Sequence, residues 1–459
     1  MKRLPFFVTV IAIALALSFG TSWAGEKVTE VKIGSVLSLS GGAANQGVQT
    51  KTGAIIAADE INAKGGIPAL GGAKIKLIFG DSQSKPDVGA SETERIIQRE
   101  NVPILFGAYQ SAVTTVTTEV AERYKTPWLV TGSVADIITQ RGFKYTFRPN
   151  NKAVYDAKEQ LEAIKTLTQE TGKGPKSIGI LVEGSDWGKS HAGNLRKLAK
   201  DMGLEIVLDE AYSPGTVDFS AQILKIKSRK PEAMVIAMYT PDHIVFTKQA
   251  YEGKLDLPFG MHSVGAGSED PNFYKAVPVQ AVDLMFVQED FQIDITEVAD
   301  WTQPINKKFK EMLGYDITSY GAQGYSAIYT IYDVLQRTGS LDKEKIREAF
   351  AKTNITSGPA LIMGWQKIAF DQDGQNVDAH GVISQNFKGK RTTIWPVANR
   401  SKGIKPVWPI PAWKDRQDTG GPDLSARRSR ALGDPDSKAY LLDSTSQGSL
   451  LWSLRVNPR

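Results

Sequence analysis

The chain has 459 residues, of which 41% are hydrophobic and 23% charged, with a net charge of +5 and no cysteine. This is an ordinary globular balance, and the positive charge is too small and too dispersed to indicate nucleic acid. The absence of thiols excludes disulfides, zinc–thiolate centres, a cysteine nucleophile and the cysteine that a lipid-anchored exported protein carries after its signal.

Residues 1–24 have the three parts of an export signal: Lys2 and Arg3, an apolar run from Leu4 to Phe19, and a small-residue stretch ending at Ala24. The apolar run is shorter than the roughly 20 residues a membrane-spanning helix needs. Cleavage near Ala24 is therefore expected, with no lipidation. An apolar strand, Val31 to Leu37, then enters a Gly-rich turn at Gly41 and Gly42, which opens a helix through about Asn62. Such a turn presents backbone N–H groups and hydroxyls to a small ligand.

Strand-like runs follow at Ile75, Leu77 and Phe79, then at 103–107, 127–131, 177–182, 205–208, 233–238 and 282–287. Helical stripes lie between them. Val113, Val116, Val120 and Tyr124 share one helical face, as do Ala192, Leu195, Leu198, Ala199 and Met202. This alternation predicts parallel sheets covered on both faces, and the length calls for two such lobes. The first break falls at Phe147–Asn151. The expected map is residues 29–150 in lobe 1, 151–284 in lobe 2, 285–355 returning to lobe 1, and 356–412 as a closing segment of lobe 2 and the hinge. Residues 413–459, rich in Arg, Asp, Ser, Gly and Pro, read as a disordered tail. Asp371-Gln-Asp-Gly374 lacks the spacing of a calcium loop and reads as a turn.

Taken together, several segments resemble the periplasmic solute-binding proteins of the branched-chain amino-acid transport family. They are the opening from Val31 to Gly47, the helix and turn from Gly53 to Ile67, Phe79-Gly-Asp-Ser82, Thr126 to Val130, Arg141 to Arg148, Phe370 to Asn376, and Trp395-Pro396. The resemblance runs from about Val31 to Ala412. It implies a type I fold, two Rossmann-like α/β lobes with parallel sheets joined by a multi-strand hinge, and a ligand held in the cleft.

The resemblance also places site residues. Ser111, at the start of a helix, would bind a ligand carboxylate. Gly132, Ser133 and Val134 occupy the next strand-end loop, where the family usually has a threonine hydroxyl at the position of Val134. Trp187 and Tyr239 would wall the ligand with aromatic rings. His262 and Ser263 fall where amino-acid binders place an acid against the ammonium, unless Glu269 or Asp270 supplies that charge. The ligand is then expected to be either a branched-chain amino acid or an amine-free aromatic or aliphatic carboxylate. The implied partners are an inner-membrane permease with a cytoplasmic ATPase, serving a monomeric periplasmic protein. A soluble ligand sensor and a urea or short-amide binder of the same fold are the alternatives. No enzyme motif stands out. The four histidines, His191, His243, His262 and His380, have no metal-ligand spacing, and Asp81 is a lone strand-end acid. No cofactor and no metal are expected.

Overall fold

Two parallel-rich sheets organise the computed structural model, which describes residues 28–295 and 299–416. The first contains β1 (Glu30–Leu37), β2 (Lys74–Asp81), β3 (Leu105–Gly107), β4 (Trp128–Val130) and β5 (Thr146–Phe147), in the order β2-β1-β3-β4-β5 and all parallel. The second contains β6 (Ser177–Glu183), β7 (Glu205–Tyr212), β8 (Ala233–Ala237), β9 (Met261–Val264) and β10 (Phe286–Glu289). The antiparallel hairpin β13 (Val382–Phe387) and β14 (Lys390–Trp395) completes it, in the order β14-β13-β10-β9-β8-β6-β7. The short strands β11 (Asn354–Ile355) and β12 (Ile368–Ala369) pair separately.

Each central strand is apolar on both faces because helices cover both. Ile104 and Phe106 enter one core cluster, while Leu105 between them enters another. In the second sheet Val235 and Ile236 divide in the same way. The covering helices are, in chain order, α1 (Ala44–Ala63), α2 (Pro86–Glu100), α3 (Ser111–Arg123), α4 (Ala153–Thr171), α5 (Asp186–Asp201), α6 (Ser220–Arg229), α7 (Thr240–Glu252), α8 (Pro271–Ala276), α9 (Val279–Val282), α10 (Ala299–Leu313), α11 (Ser319–Thr338) and α12 (Lys343–Ala351). α11 lies against α1 at backbone distance. A Cβ on Gly53 would fall 1.9 Å from the Gly321 carbonyl oxygen, and one on Gly324 2.0 Å from that of Thr50, so glycine is required at this crossing.

Among the described residues the chain passes between the sheets three times. The first and third passages are zipped together. Arg148 donates its backbone N–H to the Gly374 carbonyl at 2.7 Å and accepts from the Asn376 N–H at 2.9 Å. Its fully buried guanidinium donates to Gln375 Oε1 at 2.6 Å, the Ala135 carbonyl at 2.8 Å and Thr139 Oγ1 at 3.0 Å. Asp371 caps the same turn, its Oδ1 accepting from the N–H groups of Asp373 and Gln375.

Two expected boundaries move. β10 is a strand of the second sheet, so the return to the first lobe begins at about 290 and not at 285. Ile355, Ile362, Trp365 and Ile368 pack into the first lobe's core, so that lobe keeps the chain to about 380 and not to 355. Both shifts have one cause: an apolar run shows that a segment is buried, not which core buries it. The expected tail also starts too early. Trp413 stacks edge-on against Tyr251 at 5.3 Å and donates its indole N–H to the Leu255 carbonyl at 2.9 Å. The signal segment and residues 417–459 lie outside the described residues.

Candidate functional site

Ligands of open α/β sheets sit beyond the carboxyl ends of the strands, where the strand order reverses. Here the ends of β3, β4, β8 and β9 converge on one cavity. Its lining includes Tyr109, Ser111, Gly132 and Val134 from the first lobe, Trp187, Tyr239 and Glu269 from the second, Asp156, Gln288 and Asp290 near the crossings, and Tyr320 and Gln323 from α11.

Ser111 is the first residue of α3, whose opening N–H groups have no partner inside the helix. Its hydroxyl oxygen accepts the Ala135 N–H at 3.2 Å, which leaves the hydroxyl proton free to donate. Hydroxyl, free N–H groups and helix dipole together favour an anion. Gly132 follows β4 with φ +77°, which lets the backbone turn beside the cavity. The Val134 carbonyl is taken by the Ala153 N–H at 2.6 Å, so it has little left for a ligand.

Trp187, in the first turn of α5, and Tyr239, just after β8, stand 4.9 Å apart. Tyr109 continues the row, 5.8 Å from Tyr239 and 5.0 Å from Tyr320. Such tilted and edge-on pairs add about 0.5–1.5 kcal/mol each beyond burial.

Three expected ligand contacts are elsewhere. Ser133 turns away from the cavity, and its hydroxyl donates to the Tyr109 carbonyl at 2.8 Å and pairs with Thr114. His262 lies inside β9, stacked 4.4 Å from Phe286, with Nε2 on the Phe259 carbonyl at 2.9 Å. Burial pushes its pKa down to about 4. Ser263 accepts a hydrogen bond from Ser268 at 2.8 Å. The reason is register: β9 runs on to Val264, so these two side chains alternate into the protein and the cavity-facing turn comes later. The Gly-rich opening also differs from expectation. The first turn of α1 reaches across to the other lobe, with Gln46 donating to Thr240 at 2.9 Å and to Asp270 at 3.2 Å, and Asn45 donating to Asp270 at 2.6 Å. Asp81 braces the neighbouring loop through the N–H groups of Leu39, Ser40 and Gln83.

The acid of the site is Glu269, in the short turn after β9. It is 3% exposed, and its Oε2 has no hydrogen-bond partner. Burial, reinforced by Glu289, pushes its carboxyl well above the usual range, and a bound cation would reverse that. Asp270 beside it belongs to the cross-lobe latch. Sequence reasoning also missed Tyr109, Asp156, Gln288, Asp290, Tyr320 and Gln323. The i, i+3 spacing of Tyr320 and Gln323 on one helical face was the available signal.

Lobes, hinge passages and an inter-lobe cavity agree with what whole-chain comparison finds. The periplasmic binding protein family model matches residues 30–389, most of the chain. The chain belongs to the periplasmic binding protein family. Leu/Ile/Val-binding protein homolog 7 of Brucella abortus (strain 2308) is 30% identical to this periplasmic binding protein over 403 residues, covering 84% of this chain and 96% of that one. Among solved structures, LivJ of Streptococcus pneumoniae in complex with isoleucine aligns with a TM-score of 0.69 at 22% identity, covering 79% of this chain and 97% of that one. A Rhodopseudomonas palustris solute-binding protein in complex with benzoate aligns at 0.68 and 20%, covering 80% and 95%. These two establish the fold of this binding protein. Among its described residues no helix is long and apolar enough to cross a membrane, and no cluster of side chains is arranged to hold a metal ion.

Proposed function

We propose that this protein captures an α-amino acid between its lobes and delivers it to an ABC-type permease with a cytoplasmic ATPase. One observation carries the reading: the cavity lining holds both the Ser111 hydroxyl at a helix N-terminus, which suits an anion, and the buried, unpartnered Oε2 of Glu269. An α-amino acid brings a carboxylate and an ammonium on one carbon, the two charges these groups require. The aromatic row would then pack the side chain. The relative named for Leu, Ile and Val binding and the isoleucine complex support this class.

An amine-free carboxylate is the second reading. Val134, without the hydroxyl expected there, and the benzoate complex favour it. Glu269 fits the first reading better, since an ammonium satisfies its unpartnered Oε2 in the ionised form, whereas beside an anion the carboxyl stays protonated.

In this account residues 1–24 direct export and are removed near Ala24, the mature protein is unlipidated and monomeric in the periplasm, and it performs no catalysis. A thermal-shift screen of leucine, isoleucine, valine, lysine and phenylalanine against their keto acids and benzoate tests the reading, because a ligand of the folded state raises Tm by mass action. Shifts with amino acids and none with the amine-free acids are expected. Shifts with the amine-free acids alone would overturn it.

A further inference from the structure

We propose that the preferred ligand is a basic amino acid, whose side-chain ammonium or guanidinium is held by Asp156 and Asp290. This rests on the amino-acid reading above and narrows it to a substrate class.

The argument starts from charge. The cavity lining includes three carboxyl groups, Asp156, Glu269 and Asp290, and no lysine, arginine or histidine. All three are at least nine-tenths buried. Arg391 is committed to Glu289, while Arg148 hydrogen-bonds the neutral groups of Gln375, Ala135 and Thr139 and its charge partly offsets Asp156 and Asp290 without bonding to either. An isoleucine-like ligand brings one cation, and its ammonium has three donors. Glu269 Oε2 and Gln323 Oε1 are both buried acceptors without a partner, and they take up that group. Gln323 Oε1 faces the cavity, 3.6 Å from where a Cβ on Gly132 would stand.

Asp156 and Asp290 then remain. Asp290 Oδ2 accepts from Gln323 Nε2 at 2.8 Å, and Asp156 Oδ1 accepts from Asn151 at 3.0 Å and Gln288 at 3.1 Å. In each carboxyl these bonds fall on one oxygen. Burial raises both carboxyls, with Asp290 adding to the shift of Asp156 and Glu289 to that of Asp290, which Gln323 and Arg148 hold to about 7. Two buried acids in one cavity lining, each hydrogen-bonded through one oxygen, match a group with several N–H donors and a positive charge. Gln323 joins the two ends of the site, with its Nε2 on Asp290 and its Oε1 toward the position of the α-ammonium. A basic amino acid would supply a cation at each end.

The test is isothermal titration calorimetry of the purified protein with L-ornithine, L-lysine, L-arginine, L-leucine and benzoate as separate titrants. At least one basic amino acid should bind about tenfold or more tighter than leucine, the scale of one charge-assisted hydrogen-bond pair. Asp290→Asn should lower the ratio of basic to leucine affinity by about tenfold. The wild-type ranking stands as a test even where that variant folds poorly. Leucine binding tighter than all three basic amino acids would overturn this inference and leave the amino-acid reading intact. Benzoate binding with no amino acid bound would overturn both.

Discussion

Tyr109 and Tyr239 meet edge to face across the cleft, with ring centroids 5.8 Å apart at 68°. Tyr109 follows β3 of the first sheet and Tyr239 follows β8 of the second, so this contact joins the two lobes. The Tyr320 hydroxyl accepts the Ala266 N–H at 2.8 Å, and Gln46 bridges to Thr240 and Asp270. A ligand in the cavity would lie under this closure, and hinge motion would control its entry.

The Gln46 latch should therefore favour the closed state. Gln46→Ala removes two cross-lobe hydrogen bonds worth about 1 kcal/mol each, so ligand affinity should fall about 10–30-fold. Tm without ligand should move little, because these bonds join the lobes and do not build either core. Calorimetry and small-angle scattering check this. An unchanged affinity would remove the latch role.

Ser111→Ala deletes the hydroxyl at the N-terminus of α3. Affinity for any carboxylate ligand should fall about tenfold, corresponding to a loss of about 1–2 kcal/mol. Titration calorimetry reads this directly, and an unchanged affinity would move the carboxylate elsewhere.

Trp187→Ala should weaken ligands in proportion to the length of their side chains. The loss for lysine or phenylalanine should exceed that for alanine by about three- to tenfold. Equal losses would mean that Trp187 closes the cleft without covering the side chain.

The buried acids by the hinge set a pH dependence. Glu159 accepts from the Gly381 N–H, Asn151 and Gln288, yet burial and Asp290 raise its pKa to about 7 from an ordinary 4.5. The folded state thus holds its proton more tightly than the unfolded one. The stability this confers is full below pH 4.5 and is lost as pH rises through 7. His191, His262 and His243 act in the opposite sense. Burial holds them at about 4, 4 and 3, so their contribution is lost as pH falls below 6.5. The difference between wild type and Glu159→Gln isolates the acid. Urea unfolding should show the wild type's advantage shrinking from pH 5 to pH 8. A constant difference would contradict the assignment.

Much of this architecture was legible in the sequence because it depends on periodicity. The strand ends that carry Ser111, Gly132, Trp187 and Tyr239 are marked by apolar runs meeting helix starts, and all four line the cavity. The acid was legible only as a choice. Counting from the β9 run gives His262 and Ser263, whereas the strand continues to Val264 and a short turn presents Glu269. Tyr320 and Gln323 were hidden by the near-complete burial of the first turns of α11, where cavity-facing and core-facing residues look alike. Asp156 and Asp290 reach the site through the crossings, whose spatial convergence no local pattern records.

The most direct measurement is calorimetric titration of wild type and Glu269→Gln with leucine, lysine and arginine, and with benzoate and the keto acid of leucine. The account predicts that amino acids bind the wild type, that the amine-free acids do not, and that Glu269→Gln weakens amino-acid binding about 100-fold, as loss of a buried charge partner does. Amine-free acids binding the wild type, and binding more tightly once Glu269 is neutralised, would contradict it.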